Sequence, residues 1–126
     1  MNADLKITSE QIQRQDKDPV TVFHLRGWLD AQSEEYLITH AREVHAAGAR
    51  YLVLDMAEID MLTSAGMRTL QKVYVLFTPP NQNVKKARMK LCNASPHIYH
   101  ILGVTGFLQT MPMYESLQSA LGSFEV

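Results

Sequence analysis

From residue 20 onward, short runs of apolar and β-branched residues alternate with stretches of helical period, and this alternation limits the fold more than any other feature. VTVFHLRGWL (20–29) carries the β-branched and aromatic residues that fill strands, RYLVLDM (50–56) is a short apolar run of buried-strand type, and ARMKLCN (87–93) reads as a further strand. The first two are separated by AQSEEYLITHAREVHAAG, where Leu37, Ile38, Ala41, Val44 and His45 fall at helical spacing. The last two are separated by a helix that starts after IDMLTSAG and places Met67, Leu70, Tyr74 and Phe77 on one face. Ahead of this series, DLKITSEQI (4–12) alternates with period two and predicts an edge strand paired with the next, with a turn at Asp18-Pro19. A short strand near Leu108–Met111 and a last helix over ESLQSAL complete the order β-β-α-β-α-β-α-β-α. After the opening strand pair, that order requires an α/β fold. It has a mixed, mostly parallel sheet of about five strands, right-handed crossovers and about four packed helices.

Local punctuation supports these boundaries. Asp30 is placed to cap the first helix and Gly48 to stop it. Thr78-Pro79-Pro80 ends the second helix, and residues 81–86 read as a polar loop. Ser95 caps a third helix with Pro96 as its first residue, where a missing N–H costs nothing. Gly103 and Gly106 are expected to break that helix.

Bulk properties exclude several function classes. A chain of 126 residues, 46% hydrophobic and 20% charged, can bury a real core as a single domain over 1–126. The formal net charge of −1 gives no general attraction to nucleic acid or an anionic membrane. No apolar run approaches the ~20 residues needed to span a bilayer, and the polar N-terminus lacks the design of a secretion signal. A lone cysteine, Cys92, sits in an apolar run, reads as core packing and fits a reducing cytoplasm. Seven methionines read as core filler, and Lys85, Lys86 and Arg88 as a solvated loop edge.

Catalytic and cofactor chemistry finds little support. His40 and His45 do not share a helix face well, and His97 and His100 have no cysteine or carboxylate close in sequence to complete a metal site. Ser64 has no glycine two residues before it, so the nucleophile-elbow pattern is missing. Neither phosphate-cradling glycine motif occurs. No cofactor, no metal and no enzymatic activity are expected. That leaves Thr63-Ser64-Ala65-Gly66 at a helix start. Thr63 or Ser64 can cap the exposed N–H groups of the first turn. The same geometry tolerates a phosphate, because the helix N-terminus carries roughly half a positive charge. Residue type alone does not choose between cap and switch.

Three segments carry a family resemblance over nearly the whole chain. Gly27-Trp28-Leu29-Asp30 resembles a strand ending in Gly-x-Leu-Asp before a helix. YLVLDMAEIDMLTSAGMRTL is similar to a Val-Leu-Asp strand followed by an Asp-Ser-[Ser/Thr]-Gly-Leu helix start. MKLCNASPHIYHILGVTGFLQTMPMYESLQSAL is similar to a Ser-Pro, Leu-x-x-Thr-Gly and terminal-helix pattern. Together, in this order, they resemble the STAS domains of bacterial anti-sigma factor antagonists and of sulfate-transporter tails.

The resemblance implies a cytoplasmic partner-switching regulator. It would bind an anti-sigma factor that is also a serine-protein kinase, lose that partner when the kinase phosphorylates Ser64, and be reset by a phosphatase. Asp30 matches an acidic residue associated with phosphorylation and partner recognition, and Gly66 a glycine that allows close approach to the helix start. The implied partner-binding corner is Asp30, Thr63, Ser64, Ala65, Gly66, Met67 and Arg68. Direct nucleic-acid binding and membrane insertion are not implied, and a homodimer is left open. Two residues depart from the pattern: Thr63 stands where the family usually has Asp, and Ala65 where it has Ser or Thr. The alternative function is a scaffold subunit of a membrane lipid or anion transporter complex, without phosphorylation.

Overall fold

A computed structural model of the chain describes residues 4–78 and 87–124. The Pro79-Pro80 stop, the polar loop at 81–86 and the Lys85-Lys86 pair lie outside the described residues. The elements are β1 (Lys6–Arg14), β2 (Lys17–Leu29), α1 (Glu34–Ala46), β3 (Leu52–Leu62), α2 (Ser64–Phe77), β4 (Met89–Cys92), α3 (Pro96–Val104), β5 (Met113–Tyr114) and α4 (Leu117–Gly122). Two short 3-10 turns, Ala31–Ser33 and Phe107–Gln109, precede α1 and follow α3. The five strands form one sheet in the order β1-β2-β3-β4-β5. The β1–β2 pair is antiparallel and the other three pairs are parallel.

The three crossovers from β2 to β5 all step the same way across the sheet. Right-handed connections then place α1, α2 and α3 on one face. There Leu37, Ala41, Leu70, Val73, Phe77, Ile98 and Leu102 pack with Phe23, Leu25, Leu54, Met56 and Leu91. The period of two sends the neighbours of these strand residues to the other face. On that side Val20, Val22, Val53 and Cys92 pack against Ala120 and Phe124 of the α4 region. Lys90, 1% exposed, belongs to the same side. Its ammonium donates to the Ser123 carbonyl at 3.0 Å and hydroxyl at 2.9 Å and lies 4.7 Å from the centre of the Phe124 ring. Burial pushes the Cys92 thiol up to about 12, so it acts as a small apolar group.

Several boundaries differ from the sequence reading. The first turn is Gln15-Asp16, with Asp16 at φ 58°, and Asp18-Pro19 lies inside β2. A register shift there accommodates the proline, which cannot donate to a ladder. β3 runs on to Leu62, because two register shifts let Arg26–Leu29 keep pairing with Glu58–Leu62. The buried face of α2 is centred on Gly66, Thr69, Leu70, Val73 and Phe77, while Met67 and Tyr74 flank it half-buried. Gly103 lies within α3; the chain turns after it at Gly106, φ 77°. Leu108 sits in a 3-10 turn, and the last strand is Met113–Tyr114, where pairing with Leu91 and Cys92 is available.

Candidate functional site

The corner at the C-terminal ends of β2 and β3 is built around one carbonyl. Leu29 and Leu62 are register partners and both are buried. Leu29 O then accepts the Thr63 amide at 3.0 Å and the Thr63 hydroxyl at 3.4 Å. Thr63 is extended, φ −103° and ψ 173°, and its Oγ1 accepts the Gly66 amide at 3.2 Å. Its carbonyl takes the Met67 amide at 2.9 Å, the first bond of α2. Thr63 is therefore the cap, and Ser64 is the first residue of the helix proper.

Ser64 has a different standing. It is exposed, and its hydroxyl makes no hydrogen bond among the described residues. Ala65, half-buried, gives its carbonyl to the Thr69 hydroxyl at 3.0 Å. Gly66 is buried, and a Cβ built on it would stand 2.1 Å from Leu29 O. The close approach implied for this glycine is made by the chain's own β2. Met67 is half-buried against the core, with the Thr105 hydroxyl 3.7 Å from its sulfur, so little of it is available as a docking contact. Arg68 is exposed.

Asp30 follows Leu29 directly and caps the 3-10 turn that leads into α1. Its Oδ1 accepts the Gln32 amide at 3.1 Å and the Ser33 amide at 3.2 Å. The Ser33 hydroxyl lies 3.1 Å from the Asp30 amide and completes a reciprocal cap. The turn it caps touches α2, so Asp30 and the Thr63–Gly66 stretch belong to one corner. Below it, Lys72 of α2 pairs with Glu34 of α1. That hydrogen bond, with smaller help from Lys72 and Arg68 as charges, holds the Glu34 carboxyl below its usual range.

Beside this corner, Trp28 and Met61 are cross-strand partners on the face opposite Leu29 and Leu62. They remain 36% and 39% exposed and extend the corner's surface onto the sheet. Sequence reasoning did not single them out as surface, because it ended the β3 strand at residue 56. The strand order also bears on chemistry. It runs in one direction with no reversal, so the sheet lacks the switch-point crevice in which open α/β sheets hold nucleotides. Among the described residues no group of three or more His, Cys, Asp or Glu is placed to hold a metal, and no helix is long and apolar enough to cross a membrane.

Fold and corner together define a small βα module whose exposed serine sits on a rigid helix start beside an acidic cap. The STAS domain model matches residues 11–120. The chain belongs to the STAS domain family. It is 26% identical over 121 residues, 96% of each chain, to BtrV of Bordetella bronchiseptica, a candidate anti-sigma factor antagonist by name. An anti-sigma factor antagonist from Mycobacterium paratuberculosis superposes with a TM-score of 0.72 at 24% identity, covering 94% of this chain and 93% of that one. The anti-sigma factor antagonist SpoIIAA in its unphosphorylated form superposes with a TM-score of 0.59 at 18% identity, covering 92% and 93%. The same Bacillus cell fate determinant in its phosphorylated form gives 0.54 at 18%, covering 93% and 97%.

Thr63 occupies the N-cap position, where Asp, Ser and Thr are all favoured. The threonine that departs from the expected aspartate therefore keeps the cap and removes only its charge.

Proposed function

We propose that this protein is a partner-switching regulator of the anti-sigma factor antagonist type. It binds an anti-sigma factor that is also a serine-protein kinase, and phosphorylation of Ser64 ends the interaction until a phosphatase restores it. The docking surface is the corner of Asp30, Thr63, Ser64, Ala65 and Gly66 with the exposed Arg68 and the outer part of Met67. The relatives named as anti-sigma factor antagonists support this reading. One observation carries it: Thr63 does the capping, and the exposed Ser64 hydroxyl makes no hydrogen bond among the described residues.

The energetics are consistent with such a switch. A phosphate carries nearly two negative charges. At a helix N-terminus it is stabilised by about 0.3–1 kcal/mol, so the free domain stays folded. Ending a submicromolar complex by a thousandfold takes ~4 kcal/mol. Desolvating that phosphate against a packed partner supplies an energy of this order.

The test is peptide mass spectrometry of the protein purified from its native cells under phosphatase inhibition, paired with Ser64→Asp. A phosphate on Ser64 is expected. Ser64→Asp is expected to bind the copurifying kinase about a thousandfold more weakly and to melt within a few degrees of the wild type. Full peptide coverage across growth conditions with no phosphate, and a transporter component in place of the kinase, would overturn the proposal in favour of the scaffold alternative.

A further inference from the structure

The half of the sheet that α4 leaves uncovered carries a row of polar groups across four strands. His24 of β2 lies between two carboxylates. Its Nδ1 is 2.6 Å from Asp55 Oδ2 of β3, and its Nε2 is 2.5 Å from Glu10 Oε2 of β1. Asp55 Oδ1 accepts the Ala57 amide and the Asn93 side-chain amide, both at 3.1 Å. Asn93 immediately follows β4 in the left-handed region, φ 64°. The row therefore runs Glu10–His24–Asp55–Asn93, one member from each of three strands and one from the end of the fourth. It borders a cavity of about 380 Å³ also lined by Lys6, Thr8, Arg26 and Glu58.

We propose that His24 is a proton-operated staple that ties the edge strand β1, across β2, to β3 and the end of β4, and that loss of one proton loosens β1. A neutral imidazole has one N–H, and only the imidazolium can donate to both carboxylates. When one proton leaves, one contact becomes a lone pair facing an anion. Exposure decides which contact opens. The Asp55 side chain is 15% exposed and the Glu10 side chain 50%. A neutral His24 keeps its Nδ1 proton for the more buried Asp55, and Glu10 swings into water, which solvates it at little cost.

Other charges facing the site agree with this. Arg26 and Glu58 pair with each other at 3.6 Å and are 76% and 66% exposed, so they nearly cancel. Lys6, exposed on β1, opposes imidazolium formation only through solvent. The Cys92 thiol beside Asp55 stays protonated. The hydrogen bond to Glu10, opposed by burial and then reinforced by Asp55, raises the His24 pKa above 6.5. Burial acts against Asp55, yet the bonds from His24, Ala57 and Asn93 outweigh it and lower its pKa below 3.8. The His24 contribution is complete below about 6.5 and is lost as pH rises through its raised folded value. The Asp55 contribution is present above about 4 and is lost as pH falls through its lowered value. Between those limits the staple is closed. None of this depends on Ser64.

The test is an NMR titration of the His24 imidazole, with amide hydrogen exchange on β1 corrected for intrinsic rates. A midpoint above 6.5 is expected, with a lower midpoint in Glu10→Gln. Protection of the β1 amides should fall about two- to fivefold across that midpoint, the size of one half-exposed ion pair. The β3 and β4 amides should hold, and His24→Gln should abolish the step. Glu10→Gln, at an exposed position, tests the claim even if His24→Gln fails to fold. A midpoint at or below 6.5, a Glu10→Gln midpoint equal to wild type, or equal loss of protection in all strands would overturn it.

Discussion

Gly66→Ala isolates the contact on which the corner depends. The added Cβ would stand 2.1 Å from Leu29 O, 2.7 Å from Leu29 C and 3.0 Å from Leu29 Cβ. Two of these atoms are backbone, held by the β2–β3 ladder, so no rotamer change relieves the clash. The first turn of α2 must retreat by about 1 Å to restore ordinary contact. That retreat stretches the Thr63 amide bond to Leu29 O, now 3.0 Å, beyond hydrogen-bond range. Overpacking against a rigid neighbour costs about 3 kcal/mol, and the lost hydrogen bond about 1 kcal/mol. Alanine's better helix propensity returns about 1 kcal/mol. The net loss of about 3 kcal/mol lowers Tm by roughly 10–15 °C for a chain of this size. Gly103→Ala is the control, since Gly103 also lies in a helix but a Cβ there meets nothing within 4 Å. It should be neutral or stabilising by up to ~1 kcal/mol. Thermal and urea unfolding followed by circular dichroism give both values. A Gly66→Ala protein melting within 2 °C of wild type, or equal shifts for both glycines, refutes the close-approach argument.

Two further outcomes follow from the same geometry. Thr63→Val removes the acceptor for the Gly66 amide and a donor to Leu29 O, and should cost about 1–2 kcal/mol. Ser64→Ala should change stability by less than ~0.5 kcal/mol; the reverse ranking in thermal melts would make Ser64 the cap. Cys92, with its thiol pushed up to about 12, is expected to resist a disulfide reagent at pH 8 in the native protein and react at once in denaturant. Rapid native labelling would contradict its assignment to the core.

What was legible in the sequence was whatever local rules decide. The β-branched and aromatic run gave β2, and Asp30 and Ser95 announced their caps through side chains that bond within three residues. The errors share a cause in pairing at a distance. DMAEID carries no clean alternation, because register shifts in the β2–β3 ladder displace its inward residues, and so the second half of β3 was invisible. The α2 face was read from Met67, Leu70, Tyr74 and Phe77, which do pack on the core, but Gly66 and Thr69 at its centre were missed because neither is strongly apolar. Nothing local marks Lys90 as buried, since its acceptors belong to Ser123, 33 positions away. The Glu10–His24–Asp55 row needs the register of three strands, which no local pattern contains. At the corner the sequence left Thr63 and Ser64 as equal candidates for the cap, and only the Gly66 amide chooses between them.

The position of the site follows from topology. A sheet whose strands all step one way stacks its crossover helices on a single face and opens no crevice between diverging loops. The loops after β2 and β3 are cross-linked through Leu29 O and Thr63, so the corner keeps its shape without ligand. A group added to Ser64 then alters the surface without entering any bond that holds α2 in place. The Asp30 oxygen that caps the neighbouring turn is committed to two backbone amides, which fixes its negative charge beside that surface. Under the proposed switch, a partner meeting the unmodified corner would face one carboxylate and a neutral hydroxyl, and a phosphate on Ser64 would bring that to nearly three negative charges. The energy of such a switch would fall on the interface instead of the fold.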